Sequence, residues 1–144
     1  MKKNIFTFLF VVLLSGCTTA SKESVAKPEA GIEATVLAKG TTSWDGQSLP
    51  AYPQGKSEVT ILRIVIPVGA TLPLHQHPVI NAAVLLSGQL EVVTDENKTL
   101  QLNPGDALIE VVNTWHYGKN IGAVPAELIV FYAGTPGTPI TVKR

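Results

Sequence analysis

Histidine is the residue type that gives this sequence its clearest chemical signal. The chain contains three histidines among 144 residues, and two of them, His75 and His77, are separated by a single residue. Alternate side chains of a β-strand point to the same face, so both imidazoles can converge on one point. His116 lies at the end of another β-like run. Three neutral imidazoles suit a divalent transition metal, so we predict that His75, His77 and His116 are its ligands. The alternative is an exposed surface pair and a structural His116.

Two other side chains could serve the same site. Asn81 lies four residues after His77 and therefore faces the same way on a strand. Its amide oxygen is a weak metal ligand, but it can hydrogen-bond to a metal-bound water. Glu110 falls within the apolar run Ala107–Val112, where a carboxylate is unexpected. It is a candidate catalytic base or partner of a ligating histidine, and the alternative is an outward-facing position.

Short apolar runs separated by turn residues predict the elements that must position these side chains. Their spacing is typical of an all-β sandwich or barrel, and no stretch keeps a helical period for three turns. The polar loop Trp44–Lys56 could cover the mouth of a cavity. The predicted strands are Glu33–Lys39, Val59–Ile66, Val79–Leu86, Leu90–Thr94, Thr99–Leu102, Ala107–Val112 and Ala126–Tyr132.

The N-terminus has the features of an export signal. Lys2 and Lys3 precede the ten-residue run Ile5–Leu14, which is apolar except for one threonine and is too short to span a bilayer. The run ends at Leu-Ser-Gly-Cys, which resembles a bacterial lipobox, and Cys17 is the only cysteine in the chain. We therefore predict that Cys17 is the site of lipid attachment.

This assignment divides the chain into three parts. We predict a lipoprotein signal peptide over residues 1–16, a flexible tether over 17–31 and a single domain over 32–144. The lipid would anchor the protein in the cell envelope. Thr18, rather than aspartate, follows the cysteine. This resembles the outer-membrane sorting pattern of Gram-negative lipoproteins and implies the periplasmic face of the outer membrane.

Composition excludes several other classes of protein. Eleven basic residues balance eleven acidic ones, so the chain lacks the basic surplus of an electrostatic nucleic-acid binder. A single cysteine excludes an intrachain disulfide framework and a cysteine-based zinc cluster. The sequence has no nucleophile motif, phosphate-binding loop or nucleotide fingerprint, so it gives no support to a cofactor other than a metal.

The spacing around the histidine pair resembles the first motif of the cupin superfamily, G-x5-H-x-H-x3-E-x6-G. Gly69, His75, His77 and Gly88 occupy four of its positions, and Asn81 stands where the family usually has glutamate.

The second cupin motif has a counterpart further along the chain. The turn Asn103-Pro104-Gly105-Asp106, followed by His116 and Asn120, resembles that motif, with His116 as its third histidine. The resemblance to small bacterial single-domain cupins implies a double-stranded β-helix, also called a jelly roll. It also implies one divalent ion, which could be iron, manganese, nickel or zinc.

The resemblance leaves the function open between two classes. It implies a metal-dependent enzyme acting on a small organic substrate, of dioxygenase, isomerase or lyase type. Cupins without the glutamate ligand include iron-dependent thiol dioxygenases and diketone-cleaving dioxygenases. The alternative is a small-molecule binding or sensor module with a non-catalytic metal. Many cupins pair as homodimers, which is a possible assembly here.

Overall fold

Nine β-strands make up the secondary structure of the region described by the computed structural model, residues 31–144. No helix in this region has the length and apolar character needed to cross a membrane. The strands are β1 (Glu58–Ile66), β2 (His75–Gln76), β3 (Ile80–Ser87), β4 (Leu90–Thr94), β5 (Thr99–Leu102), β6 (Ala107–Ile109), β7 (His116–Asn120), β8 (Ala126–Gly134) and β9 (Val142–Lys143).

The strands form two antiparallel sheets. One sheet has the order β1-β8-β3-β6 and the other has the order β5-β4-β7-β2-β9. Both sheets contribute side chains to one apolar core, and residues Thr35–Arg144 form one compact unit. This arrangement is the double-stranded β-helix that the family resemblance implied, and it agrees with the all-β fold predicted from the strand spacing.

Strand periodicity directs particular polar side chains inward. In β8, every second residue from Ala126 to Gly134 is buried, and Tyr132 is among them. In β3 the buried residues are Asn81, Ala83 and Leu85. Because Asn81 pairs with Tyr132 across the two strands, their side chains lie next to each other inside the fold.

Some predicted elements need correction. Strands β4 and β5 have the predicted bounds, but Glu33–Lys39 is not a strand and is exposed along its length. Its β-favouring residues have no neighbouring strand to pair with within the described region, and propensity alone does not form a strand. The run Ala107–Val112 forms a strand only as far as Ile109, and His116 begins β7 rather than ending a strand.

Gly88 makes the turn between β3 and β4 possible. It has a φ of +76°, and a Cβ placed there would lie 2.6 Å from the Ala126 Cα and 2.7 Å from the Pro125 carbonyl oxygen. Both the left-handed conformation and the close backbone contact therefore require glycine.

We predict that Gly88→Ala lowers the free energy of unfolding by about 3 kcal/mol or more, because conformational strain and overpacking add together. Gly105→Ala is the matched control. Gly105 also has a positive φ, +93°, but nothing lies within 4 Å of the added Cβ, so we expect a loss of only about 1–2 kcal/mol. Urea unfolding of the two variants measures the difference. Equal losses would show that contact with the β8 backbone is unimportant.

Candidate metal centre

A cavity of about 230 Å³ lies inside the fold and has a polar region. Most of its wall is apolar and comes from both sheets. The apolar side chains include Leu62, Ile64, Leu72, Leu90, Val92, Leu108, Leu128 and Val130. The polar and charged side chains that line it are His75, His77, Asn81, Glu110, His116, Tyr132, Thr141 and Lys143.

The short strand β2 and its neighbour β7 bring the three histidines together. His75 pairs directly with His116 across the two strands, and His77 follows the end of β2. The ring centroids are 4.4 Å apart for His75 and His116, 4.9 Å for His75 and His77, and 5.1 Å for His77 and His116. One potential ligand atom from each ring lies within 4.8 Å of the other two.

Backbone carbonyl groups fix the orientation of all three imidazoles. The Nδ1 atom of His75 lies 2.7 Å from the Pro73 oxygen, that of His77 lies 2.7 Å from the Ile140 oxygen, and that of His116 lies 2.8 Å from the Thr114 oxygen. A carbonyl oxygen only accepts hydrogen bonds, so each neutral ring carries its proton on Nδ1. Each Nε2 then keeps its lone pair, which is the protonation state that a metal-ligating histidine needs.

Burial favours the neutral form of His75 and His77. His77 and His116 are almost fully buried, and His75 is partly exposed. Burial lowers the pKa of His77 to about 4 and also lowers the pKa of His75, with smaller contributions from the neighbouring histidines. The donor set and its protonation state therefore fit a transition-metal ion.

The carboxylate of Glu110 is buried beside this cluster. Its Oε1 accepts a hydrogen bond of 2.7 Å from the Trp44 indole N–H and one of 2.9 Å from the backbone N–H of Val111. Its Oε2 lies 3.8 Å from Nε2 of His116. The outward-facing alternative for Glu110 is therefore wrong, because the carboxylate lines the cavity and is fixed at one oxygen.

Asn81 and Tyr132 line the cavity next to the histidines. Asn81 is 1% exposed, and its Nδ2 donates a long, 3.4 Å hydrogen bond to the Val79 carbonyl. The Tyr132 ring lies against His77, with 5.4 Å between centroids. Burial, together with the negative charge of Glu110, raises the pKa of Tyr132, so its hydroxyl group stays protonated.

Several residues at the site were not predicted as site residues. Trp44 was assigned only to a polar loop that could cover the mouth of a cavity, with no role for its side chain, although its indole reaches Glu110. Thr141 lies 3.2 Å from Nδ1 of His77 through its hydroxyl oxygen, and Lys143 pairs with His75 through β9. Lys143 belongs to the two-residue strand β9, and Thr141 directly precedes it. A strand this short has no periodic pattern from which either residue could be predicted.

Asn120, from the second motif, does not line the cavity. Asn120 is buried, and its amide donates to the Ile66 and Val124 carbonyls and accepts from Gly122. These bonds give it a structural role at the end of β7. Cys17 lies outside the described residues.

Comparison with known families identifies the domain. The cupin domain family matches residues 62–132, a range that contains all three histidines, Asn81 and Glu110. The chain therefore carries a cupin domain. A second match, over residues 1–18, is to the prokaryotic membrane lipoprotein lipid attachment site and supports the predicted lipoprotein signal.

Solved structures share the cupin fold at low sequence identity. The DMSP lyase DddQ from Ruegeria pomeroyi is 22% identical with a TM-score of 0.50, and the match covers 59% of this chain and 42% of the lyase. An oxalate decarboxylase from Lactobacillus farciminis is 21% identical with a TM-score of 0.52, and the match covers 59% of this chain and 26% of the decarboxylase. A cupin-like protein from Thermotoga maritima is 16% identical with a TM-score of 0.52, and the match covers 60% of this chain and 64% of that protein.

The match therefore spans less than half the length of the two solved enzymes. No curated protein sequence matches this chain significantly.

The lowered pKa of His77 predicts how acid affects the metal-free protein. Its pKa is about 4 in the folded state, against 6.5 ordinarily, so between these values the unfolded chain binds the additional proton. The stabilisation is complete above pH 6.5 and is lost as the pH falls towards 4, by up to about 3 kcal/mol.

Urea unfolding in the presence of a chelator, at pH 7 and at pH 4.5, measures this loss. His77→Gln removes the titrating group and should reduce the difference between the two pH values, whereas the other acidic groups titrate in both proteins. An identical pH dependence in the variant would contradict the assignment to His77.

Proposed function

We propose that this domain is a metal-dependent enzyme of the cell envelope, in which His75, His77 and His116 bind one divalent transition metal. The observation that carries the proposal is the convergence of three imidazoles, each with its Nδ1 held by a carbonyl, on an apolar cavity. A metal bound there would act as a Lewis acid that polarises a bound substrate oxygen. We propose iron, manganese, nickel or zinc, since three imidazoles accommodate each of them.

The residues around the histidines supply the remaining functions. We assign Glu110 the role of holding or moving a proton at Oε2, because Oε1 is already occupied by two donors. Asn81 is placed to orient a polar group of the substrate through its amide. The apolar walls exclude water and bind the carbon skeleton of the substrate.

The lining of the cavity indicates what kind of molecule it accepts. Neutral imidazole ligands would leave a divalent ion its full positive charge, and Lys143 adds a positive charge against the single negative charge of Glu110, so the cavity would remain net positive. A small organic molecule with an apolar body and an acidic or enolisable oxygen fits this combination. We propose a reaction of the dioxygenase, isomerase or lyase type.

A binding or sensor module remains the second candidate. A metal that only stabilises the fold needs no cavity beside it, whereas a ligand-binding module and an enzyme both do. We favour the enzyme because the cavity also contains Glu110, whose Oε2 accepts no hydrogen bond from Trp44 or Val111 and can take part in proton transfer.

Metal analysis of the purified full-length protein, followed by turnover assays, tests the proposal. Oxygen uptake with small thiols, diketones and phenols covers dioxygenase chemistry, and proton NMR of the same mixtures detects isomerisation or cleavage. Turnover that depends on the metal supports the enzyme. Metal and ligand binding without turnover would favour the sensor module, and absence of bound metal would refute both.

We predict that alanine at any one of His75, His77 and His116 removes most of the bound metal, because two imidazoles hold a transition metal much more weakly than three. Gln76→Ala is the matched control, since its side chain alternates to the opposite face of β2 and does not line the cavity. Elemental analysis of the four purified variants measures occupancy. Full occupancy in His116→Ala would contradict the three-histidine site.

We also propose that Cys17 is acylated and anchors the domain at the periplasmic face of the outer membrane. Support comes from the lipid attachment match over residues 1–18 and from the position of the only cysteine. Cys17→Ser should abolish labelling with a radioactive fatty acid and release the protein from the membrane fraction or leave it unprocessed. Ser15→Ala, a small-residue change two positions earlier, is the control and should label normally. Absence of label in the wild-type protein would contradict the anchor.

A further inference from the structure

Asn81 and Glu110 lie next to each other across two strands. The ladder between β3 and β6 pairs Ala82 with Ile109, and the backbone N–H of Glu110 donates to the Asn81 carbonyl at 3.0 Å. The same antiparallel register therefore continues by one residue and places Glu110 opposite Asn81. Directly opposed side chains share a face of the sheet, and both side chains line the cavity. The carboxylate thus lies one strand away from the neutral amide.

The carboxylate of Glu110 is also oriented. The Trp44 indole and the Val111 amide both donate to Oε1, so this oxygen cannot turn away without losing two hydrogen bonds. The other oxygen, Oε2, lies 3.8 Å from Nε2 of His116. Because Nδ1 of His116 bonds to the Thr114 oxygen, Nε2 is the nitrogen of this ring that can bind a metal. Oε2 therefore lies beside the position that a metal ligated by His116 would occupy.

The charges around Glu110 also favour a metal ion beside its carboxylate. Among the described side chains that line the cavity, Glu110 is the only carboxylate. Glu110 is 8% exposed, and no lysine or arginine of the described region forms an ion pair with it. A buried carboxylate is costly without a countercharge, and a divalent ion at the adjacent histidines would provide one.

We infer that Glu110, held in place by Trp44, is the anionic group of the metal centre and supplies the negative charge that Asn81 lacks. The inference rests on the proposed function and extends it, because the same carboxylate sets the net charge of the site. Trp44 acts through Glu110 and is a positioning residue.

Titration of the metal-free, detergent-solubilised full-length protein with Co²⁺ alone tests the inference. Isothermal calorimetry gives the affinity, and the visible absorption spectrum of Co²⁺ reports on its surroundings. Glu110→Gln keeps the size of the side chain and an oxygen that can accept from Trp44, but removes the charge. We expect it to weaken Co²⁺ binding at least tenfold and to change the spectrum, whereas Asn81→Ala should weaken binding less than threefold.

Three further variants separate a charge at the metal from a general contribution to folding. Asn81→Glu combined with Glu110→Gln moves the carboxylate to the neighbouring strand and should recover most of the lost affinity. Trp44→Phe should weaken Co²⁺ binding about threefold in the wild-type background and have no additional effect in the Glu110→Gln background. Such non-additivity is expected only if Trp44 acts through the carboxylate.

The outcomes distinguish this inference from the proposed function. If the wild-type protein binds no Co²⁺, the proposed function fails. If it binds Co²⁺ and Glu110→Gln binds with the same affinity and spectrum, only the inference is wrong. Circular dichroism of each metal-free variant establishes folding. Should Glu110→Gln not fold, an unchanged affinity and spectrum in Trp44→Phe would overturn the inference instead.

Discussion

The arrangement of the site depends on three hydrogen bonds between imidazole Nδ1 atoms and backbone carbonyls. Each bond determines which nitrogen carries the proton and prevents the ring from rotating, so the three Nε2 lone pairs are available before any ligand arrives. The acceptors lie on different parts of the chain: Pro73 and Thr114 each precede their histidine by two residues, and Ile140 comes from the approach to β9. The conformation of the backbone, and not the side chains alone, therefore determines the chemistry at the site.

The same backbone explains why a carboxylate can be buried next to these rings. Glu110 lies just beyond the end of β6, where the register with β3 still holds but the strand has ended. The chain is therefore free to turn and to let Val111 donate its N–H to the carboxylate. The loop that carries Trp44 adds a second donor and is itself bonded to β6 through the Ile109 carbonyl. Two donated hydrogen bonds offset part of the cost of desolvating the charge.

Local periodicity accounts for what the sequence could predict. Alternation along β3 and around β2 was enough to place His75, His77 and Asn81 on one side, and turn residues defined β4 and β5 at both ends. Contacts between side chains that are distant in sequence could not be predicted from local periodicity. Trp44 and Glu110 are 66 residues apart, and no local spacing connects them. Strands β2 and β9 have only two residues each, so they are too short to show the apolar alternation that predicts a strand, and they depend on their neighbours for stability.

The pairing of β9 with β2 links the order of synthesis to the formation of the site. His75 is opposite Lys143, Gln76 is opposite Val142, and the carbonyl that fixes His77 belongs to Ile140. A ribosome-bound chain that stops short of residue 140 has all three histidines but lacks the group that fixes the proton of His77. The three imidazoles are therefore held in their final orientation only once the last strand has docked against β2.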